Sequence, residues 1–114
     1  MTLETMLSEI VDELKDEFQN QPTFNLNILQ IKVKEAYRKV RSRKCYENTS
    51  KTENDIIDDL YNRHYQDIKD VAAYNFAKIG GYFENSHTEN NTSRSWITEN
   101  EVLGNINAFP RILQ

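Results

Sequence analysis

The chain has 114 residues, of which 38% are hydrophobic and 28% are charged, and its formal net charge is −4. This length fits one domain with a modest core, while 3 Gly and 2 Pro are too few turn residues for a β-sandwich. The acidic balance argues against a protein whose main task is to bind DNA phosphates. A single cysteine excludes an internal disulfide and indicates a reducing, intracellular origin.

The first predicted element is an amphipathic, acidic helix over residues 1–18. It carries no basic region followed by an apolar block, so we expect no signal peptide. Apolar residues at steps of three and four share one face, and acidic residues cover the other. Pro22 ends the helical geometry. The apolar set is Leu3, Met6, Leu7, Ile10, Val11, Leu14 and Phe18, and the acidic set is Glu4, Glu9, Asp12, Glu13, Asp16 and Glu17.

A second helix is predicted from residues 23–25 to about Cys45, and its C-terminal half is strongly basic. One interpretation is a solvated face whose cations suit the helix C-terminus. The other is a basic patch for DNA or for an acidic neighbour, such as the acidic face of the first helix in another subunit. The buried stripe is Leu26, Leu29, Val33, Ala36, Tyr37 and Val40, and the candidate patch is Lys34, Arg38, Arg41, Arg43 and Lys44.

A polar loop at 46–52 precedes a third predicted helix, which extends from 53 to 84. Thr52 and Asp55 form a capping box variant at its start. The helix would be about 45 Å long, and Gly80-Gly81 would weaken its last turn. Its predicted apolar stripe is Ile57, Leu60, Tyr61, His64, Ile68, Val71, Ala72, Asn75, Phe76, Ile79 and Phe83.

The remaining residues, 86–114, are polar at first and then carry scattered apolar side chains. A short helix is predicted over 98–106, with Thr98 as N-cap and Glu101 completing a capping box. This arm either folds back on its own helices or lies against a partner. The predicted fold is therefore mainly α, a small bundle of three principal helices over 1–85 followed by an extended loop and docking arm over 86–114.

The sequence offers no pattern of catalytic, metal-binding or cofactor-binding residues, so we do not expect an enzyme. His64, His87 and Cys45 lie far apart without ligand spacing, and Gly80-Gly81 lacks the context of a phosphate loop. We also expect no membrane span, because no apolar run approaches roughly 20 residues.

One alternative function is a small helical DNA-binding transcription regulator. The long third helix and the lack of a tight turn at 46–52 disfavour that alternative.

Residues 86–96, Ser-His-Thr-Glu-Asn-Asn-Thr-Ser-Arg-Ser-Trp, resemble a segment near the C-terminus of head–tail connector proteins of tailed phages. These proteins are also called adaptor or head-completion proteins. The alanine-containing helix at 71–80 and the Ile-Asn-Ala-Phe-Pro segment at 106–110 are similar to the family's flanking segments. Asn91 stands where the family often has glycine, and asparagine also tolerates positive φ.

The resemblance implies a virion protein, made in the host cytoplasm, in a ring of about a dozen subunits at the head–tail interface. Its implied partners are copies of itself, the portal protein, the next head-completion or tail protein, and DNA that passes through without sequence-specific binding. Alternatively, the motif only shapes the loop after the third helix. The residues implied to contact the portal or a neighbouring subunit are His87, Glu89, Asn90, Arg94, Trp96, Ile106, Phe109 and Pro110.

Overall fold

The computed structural model describes residues 1–22, 24–79 and 98–110. Within these residues the chain is mainly helical and contains no β-strand, which confirms the predicted fold class. Predictions that concern residues 80–97, among them the two glycines and Phe83, lie outside the described residues. The elements in chain order are α1 (Leu3–Phe18), α2 (Leu26–Lys44), a 3₁₀ turn (Tyr46–Asn48), α3 (Glu53–Arg63), α4 (Tyr65–Ile79) and α5 (Glu99–Gly104).

Helices α1 and α2 form a pair with well-defined caps. The Thr2 hydroxyl accepts a hydrogen bond from the Thr5 amide at 3.1 Å, and the Asn25 side chain accepts one from the Ile28 amide at 3.2 Å. Both are N-caps that satisfy amides left free in the first turn. Helix α2 is followed by its C-cap Cys45, whose φ of 57° is the left-handed geometry typical of a helix C-terminus. Because a short connection joins two helices that pack on each other, the pair is antiparallel.

The prediction of one long helix over 53–84 is wrong, because the chain breaks at His64 into α3 and α4. The backbone of His64 leaves helical geometry at φ −127° and ψ 14°. Two tyrosines flanking the break then face α1: Tyr61 donates to Glu9 at 3.0 Å and Tyr65 to Glu13 at 2.7 Å. No proline or glycine marks the break, and the apolar periodicity continues across it because both helices face one core.

The start of α3 was predicted correctly. The Thr52 hydroxyl accepts from the Asp55 amide at 3.2 Å, and the Asp55 carboxylate accepts from the Thr52 amide at 3.3 Å. This reciprocal pair is the predicted capping box, with aspartate in the role of the usual glutamate.

A single apolar core lies between α1, α2 and α4, and its largest contact is between α2 and α4. Phe18 and Phe24 both pack on Phe76, and their ring centroids lie 5.2 and 5.9 Å, respectively, from that of Phe76. Aromatic contacts therefore join α1, the α1–α2 connection and α4. The largest fully buried side chains are Met6, Ile10, Leu14, Leu29, Val33, Val40, Leu60, Ile68 and Val71.

Residues 98–110, here called the C-terminal segment, fold back on the bundle. Its helix α5 packs on α4 and α2, and it begins as predicted at Thr98, whose hydroxyl accepts from the Glu101 amide at 3.2 Å. Val102 and Ile106 are each only 4% exposed and belong to the same core as the bundle. Of the two arrangements predicted for the arm, these residues adopt the intramolecular one.

Candidate interaction surfaces

The structure describes three of the eight residues predicted to contact a portal or a neighbouring subunit. Ile106 is buried, Phe109 is half-buried and Pro110 is exposed. The other five, His87, Glu89, Asn90, Arg94 and Trp96, lie outside the described residues.

Phe109 is held in place by contacts within the chain. Its amide donates to the Lys44 carbonyl at 2.8 Å, and its own carbonyl accepts from the Asn48 side chain at 3.0 Å. Its ring packs on that of Tyr46, with centroids 5.3 Å apart. Ile106 and Phe109 thus stabilise the fold of the single chain, and a contact of either with a partner stays a prediction.

Lys44 was predicted as part of a basic patch, but its side chain is buried. Its ammonium donates to the Asn107 carbonyl at 3.2 Å and lies 4.3 Å from the centre of the Phe109 ring. A buried ammonium needs such partners, because an unpaired one loses its hydration without compensation. Lys44 therefore belongs to the structural contact between α2 and the C-terminal segment.

Two further cations of α2 also contact the C-terminal segment. Arg43 donates through Nε to the Leu103 carbonyl at 3.0 Å, and Lys39 pairs with Glu99 at 2.5 Å. Glu99 accepts as well from the Asn75 side chain at 2.8 Å, so one carboxylate connects α5 to both α2 and α4. Burial raises the pKa of Glu99, but the hydrogen bonds from Lys39 and Asn75 outweigh it and leave the pKa lowered.

Arg41 joins α2 to α3. Its guanidinium makes two hydrogen bonds to the Glu53 carboxylate, at 2.6 and 2.7 Å, and a third to the Tyr37 hydroxyl at 2.7 Å. The bond to Glu53 raises the pKa of Arg41 and lowers that of Glu53. The pair has the two-point geometry that favours arginine over lysine, although Glu53 is largely exposed.

The outward stripe of α2, defined as Ile31, Lys34 and Arg38, is exposed and takes no part in these contacts. Within the described residues, neither cation makes a hydrogen bond or an ion pair. Ile31 is 53% exposed although it is a large apolar side chain. The apolar pattern of the sequence did not single out Ile31, although its position outside the buried stripe of the same helix is a signal that could have identified it.

An acidic groove of about 520 Å³ lies between α1 and α4. Glu13 is already engaged: it accepts from Tyr65 and pairs with Lys69 at 3.0 Å, and the bond from Tyr65 is the main reason its pKa is lowered. In contrast, Asp16 is exposed and makes no such contact within the described part of the chain. The lining residues are Glu13, Asp16, Glu17, Gln66, Lys69 and Asp70.

Asp70 lies partly buried at the α4 side of this groove. Burial raises its pKa, although a hydrogen bond from Gln66 at 2.8 Å acts in the opposite direction. Among the described residues, the hydrogen bond from Gln66 therefore does not fully offset the effect of burial on this carboxyl. A cation brought into the groove would favour its charged form.

His64 lies at the junction of α3 and α4, with 12% of its side chain exposed. Its Nδ1 is 2.9 Å from the Asp67 carboxylate, whereas its buried Nε2 has no hydrogen-bond partner among the described residues. The prediction that His64 belongs to the apolar stripe agrees with this burial. The residue helps to cap the break between the two helices.

Among the described residues, histidine, cysteine and carboxylate side chains form no group able to hold a metal ion. The helices formed by these residues are also too short or too polar to cross a bilayer. Comparisons with protein-family models, with curated proteins and with solved structures give no match to this chain.

Proposed function

We propose that this protein is a head–tail connector subunit of a tailed phage particle, which assembles into a ring between the portal and the tail. DNA would pass through the ring without sequence-specific binding. The partners in this proposal are other copies of the chain, the portal protein and the next head-completion or tail protein.

The observation that carries the proposal is the resemblance of residues 86–96 to the connector motif, together with its setting in the chain. The motif follows a helix with buried alanines, Ala72, Ala73 and Ala77 in α4, and precedes the segment that ends at Pro110. A mainly helical bundle is the fold that the resemblance implies. Arg94 and Trp96 are the motif residues best suited to an interface, as a two-point carboxylate ligand and as an aromatic anchor.

The surfaces of the described chain favour this function over a DNA-binding regulator. A regulator needs a basic helix whose cations are free to reach DNA. In α2, however, Arg41, Arg43 and Lys44 are engaged within the chain, so Lys34 and Arg38 are the members of the candidate patch without a partner among the described residues. Two cations on one helix contribute little affinity for DNA phosphates.

The proposal is tested by measuring the mass of the purified chain, alone and with its cognate portal, by light scattering. We expect a complex of ring-like mass on the portal. The double variant Arg94→Ala/Trp96→Ala should lose portal binding while its circular dichroism spectrum keeps the helical signal. Asn62→Ala, a change at an exposed residue of α3 outside the motif, is the matched control and should bind as the wild type does.

A stable dimer that ignores the portal would contradict the connector function and favour the regulator. Finding the chain in purified phage particles, at the junction of head and tail, would support the connector function independently of affinity. Its absence from such particles would contradict it.

A further inference from the structure

We propose that copies of this chain associate head to tail, with the outward stripe of α2 in one copy docked at the acidic groove between α1 and α4 of the next. This inference deepens the proposed function and rests on it, since it names the two surfaces through which ring subunits would meet. The partner is a second copy of the chain.

The first argument is the segregation of charge between two helices of one molecule. Helix α1 carries six acidic residues and one basic residue, whereas α2 carries seven basic residues and one acidic residue. Opposite potentials on separate surfaces attract one copy to another and disfavour the pairing of like surfaces. A contact between two different surfaces is heterologous, and such contacts generate rings when the rotation closes.

The second argument is that the cations of the outward stripe have no ionic partner in the part of the chain that the structure describes. Lys34 and Arg38 lie one turn apart and are both exposed, and within the described residues they have no ion-pair partner. Ile31 continues the same face, so the stripe spans about 10 Å along the helix. Covering its exposed side chain would add an apolar contribution to an otherwise electrostatic contact.

The third argument is that the groove offers the complementary charge in a concave shape. Asp16 is exposed at its α1 side, and Asp70 is partly buried at its α4 side with a carboxylate that a cation would stabilise. The stripe and the groove both face solvent and belong to different helices. Among residues 1–22, 24–79 and 98–110 neither surface covers the other, so in this part of the chain their charges face solvent and can meet a neighbour.

The test uses two charge reversals at exposed residues, each with a control that changes the net charge equally. Arg38→Glu alters the stripe and is matched by Arg63→Glu at the end of α3, where the side chain is 76% exposed. Asp16→Lys alters the groove and is matched by Glu4→Lys, about 18 Å away along the same helix. The mass of each protein is measured by sedimentation over a concentration series at low salt, with circular dichroism as the check on folding.

We expect the wild type and both controls to form species larger than a dimer as the concentration rises. Arg38→Glu and Asp16→Lys should each associate at least tenfold more weakly. Mixing these two variants should restore assembly, because positions 38 and 16 then carry opposite charges in every contact between the two proteins. The double variant Arg38→Glu/Asp16→Lys should assemble by itself for the same reason. Raising the salt to about 0.5 M should weaken all of these complexes.

The proposal is overturned if the wild type stays monomeric at every concentration, if both single variants assemble like the wild type, or if neither the mixture nor the double variant regains assembly. A wild type that is monomeric alone but forms a ring on the portal would overturn this contact and leave the connector function standing. Charge-dependent assembly without any portal binding would support this contact between copies and contradict the connector function.

Discussion

Two sides of α2 carry the same kinds of residues and have different roles. On the side that faces the C-terminal segment, Lys44 is buried and contacts Asn107 and Phe109. On the outward side, Lys34 and Arg38 are exposed and make no ion pair within the described residues. A basic residue on this helix therefore stabilises the fold where a distant segment covers it. Where no described segment covers it, the residue can contact a partner.

The largest expected difference comes from a pair of isoleucines, Ile106 in the C-terminal segment that covers one side of α2 and Ile31 on the outward side. Ile106→Ala should lower the free energy of unfolding by about 2–4 kcal/mol, because its side chain is 4% exposed and its removal leaves a cavity. Ile31→Ala should change it by less than about 0.5 kcal/mol, because Ile31 is 53% exposed. Urea unfolding followed by circular dichroism measures both values, and equal losses would contradict the assignment of Ile106 to the core.

A second pair compares the two lysines. Lys44→Ala should destabilise the chain by about 1–2 kcal/mol, because it removes the hydrogen bond to Asn107 and the contact with the Phe109 ring. Hydrogen exchange should accelerate at the amide of Phe109, which donates to the Lys44 carbonyl. Lys34→Ala should leave exchange and stability unchanged. Unaltered exchange in the Lys44 variant would show that the C-terminal segment docks without this side chain.

A third prediction concerns pH and the attachment of α5. Glu99→Gln should cost about 1 kcal/mol at pH 7, because it weakens the contacts with Lys39 and Asn75. Since the folded pKa of Glu99 is lowered, its contribution is present above the unfolded pKa of about 4.3 and is lost as the pH falls through the folded value. Denaturation curves of the wild type and the variant should therefore converge in acid. A gap that persists unchanged below pH 3 would be inconsistent with this origin.

The smallest effect is expected for the contact between α2 and α3. Arg41→Ala should cost about 0.5 kcal/mol, because Glu53 is largely exposed and water screens the pair. Arg38→Ala is the control without an ion pair and should cost less. A double-mutant cycle with Glu53→Ala isolates the coupling between the two residues, and a coupling near zero would mean that this two-point contact adds nothing measurable.

Local patterns predicted much of the fold. The apolar spacing located α1 and α2 to within a few residues, and the side-chain caps at Thr52 and Thr98 placed the starts of α3 and α5. These features depend on residues three or four positions apart, so they are readable from the chain alone. The predicted surface patch on α2 was less accurate, because charge patterning does not distinguish a buried lysine from an exposed one.

The sequence by itself determined that the protein is helical, where its first two helices lie and which threonines cap the starts of α3 and α5, because short-range periodicity and capping fix these features. Only the tertiary structure decided that the chain breaks at His64, that Lys44 is buried and that Lys34 and Arg38 remain exposed. These outcomes depend on contacts between residues far apart in the chain, such as Tyr65 with Glu13 and Phe109 with Lys44. No local spacing encodes which segment will cover a given face of a helix.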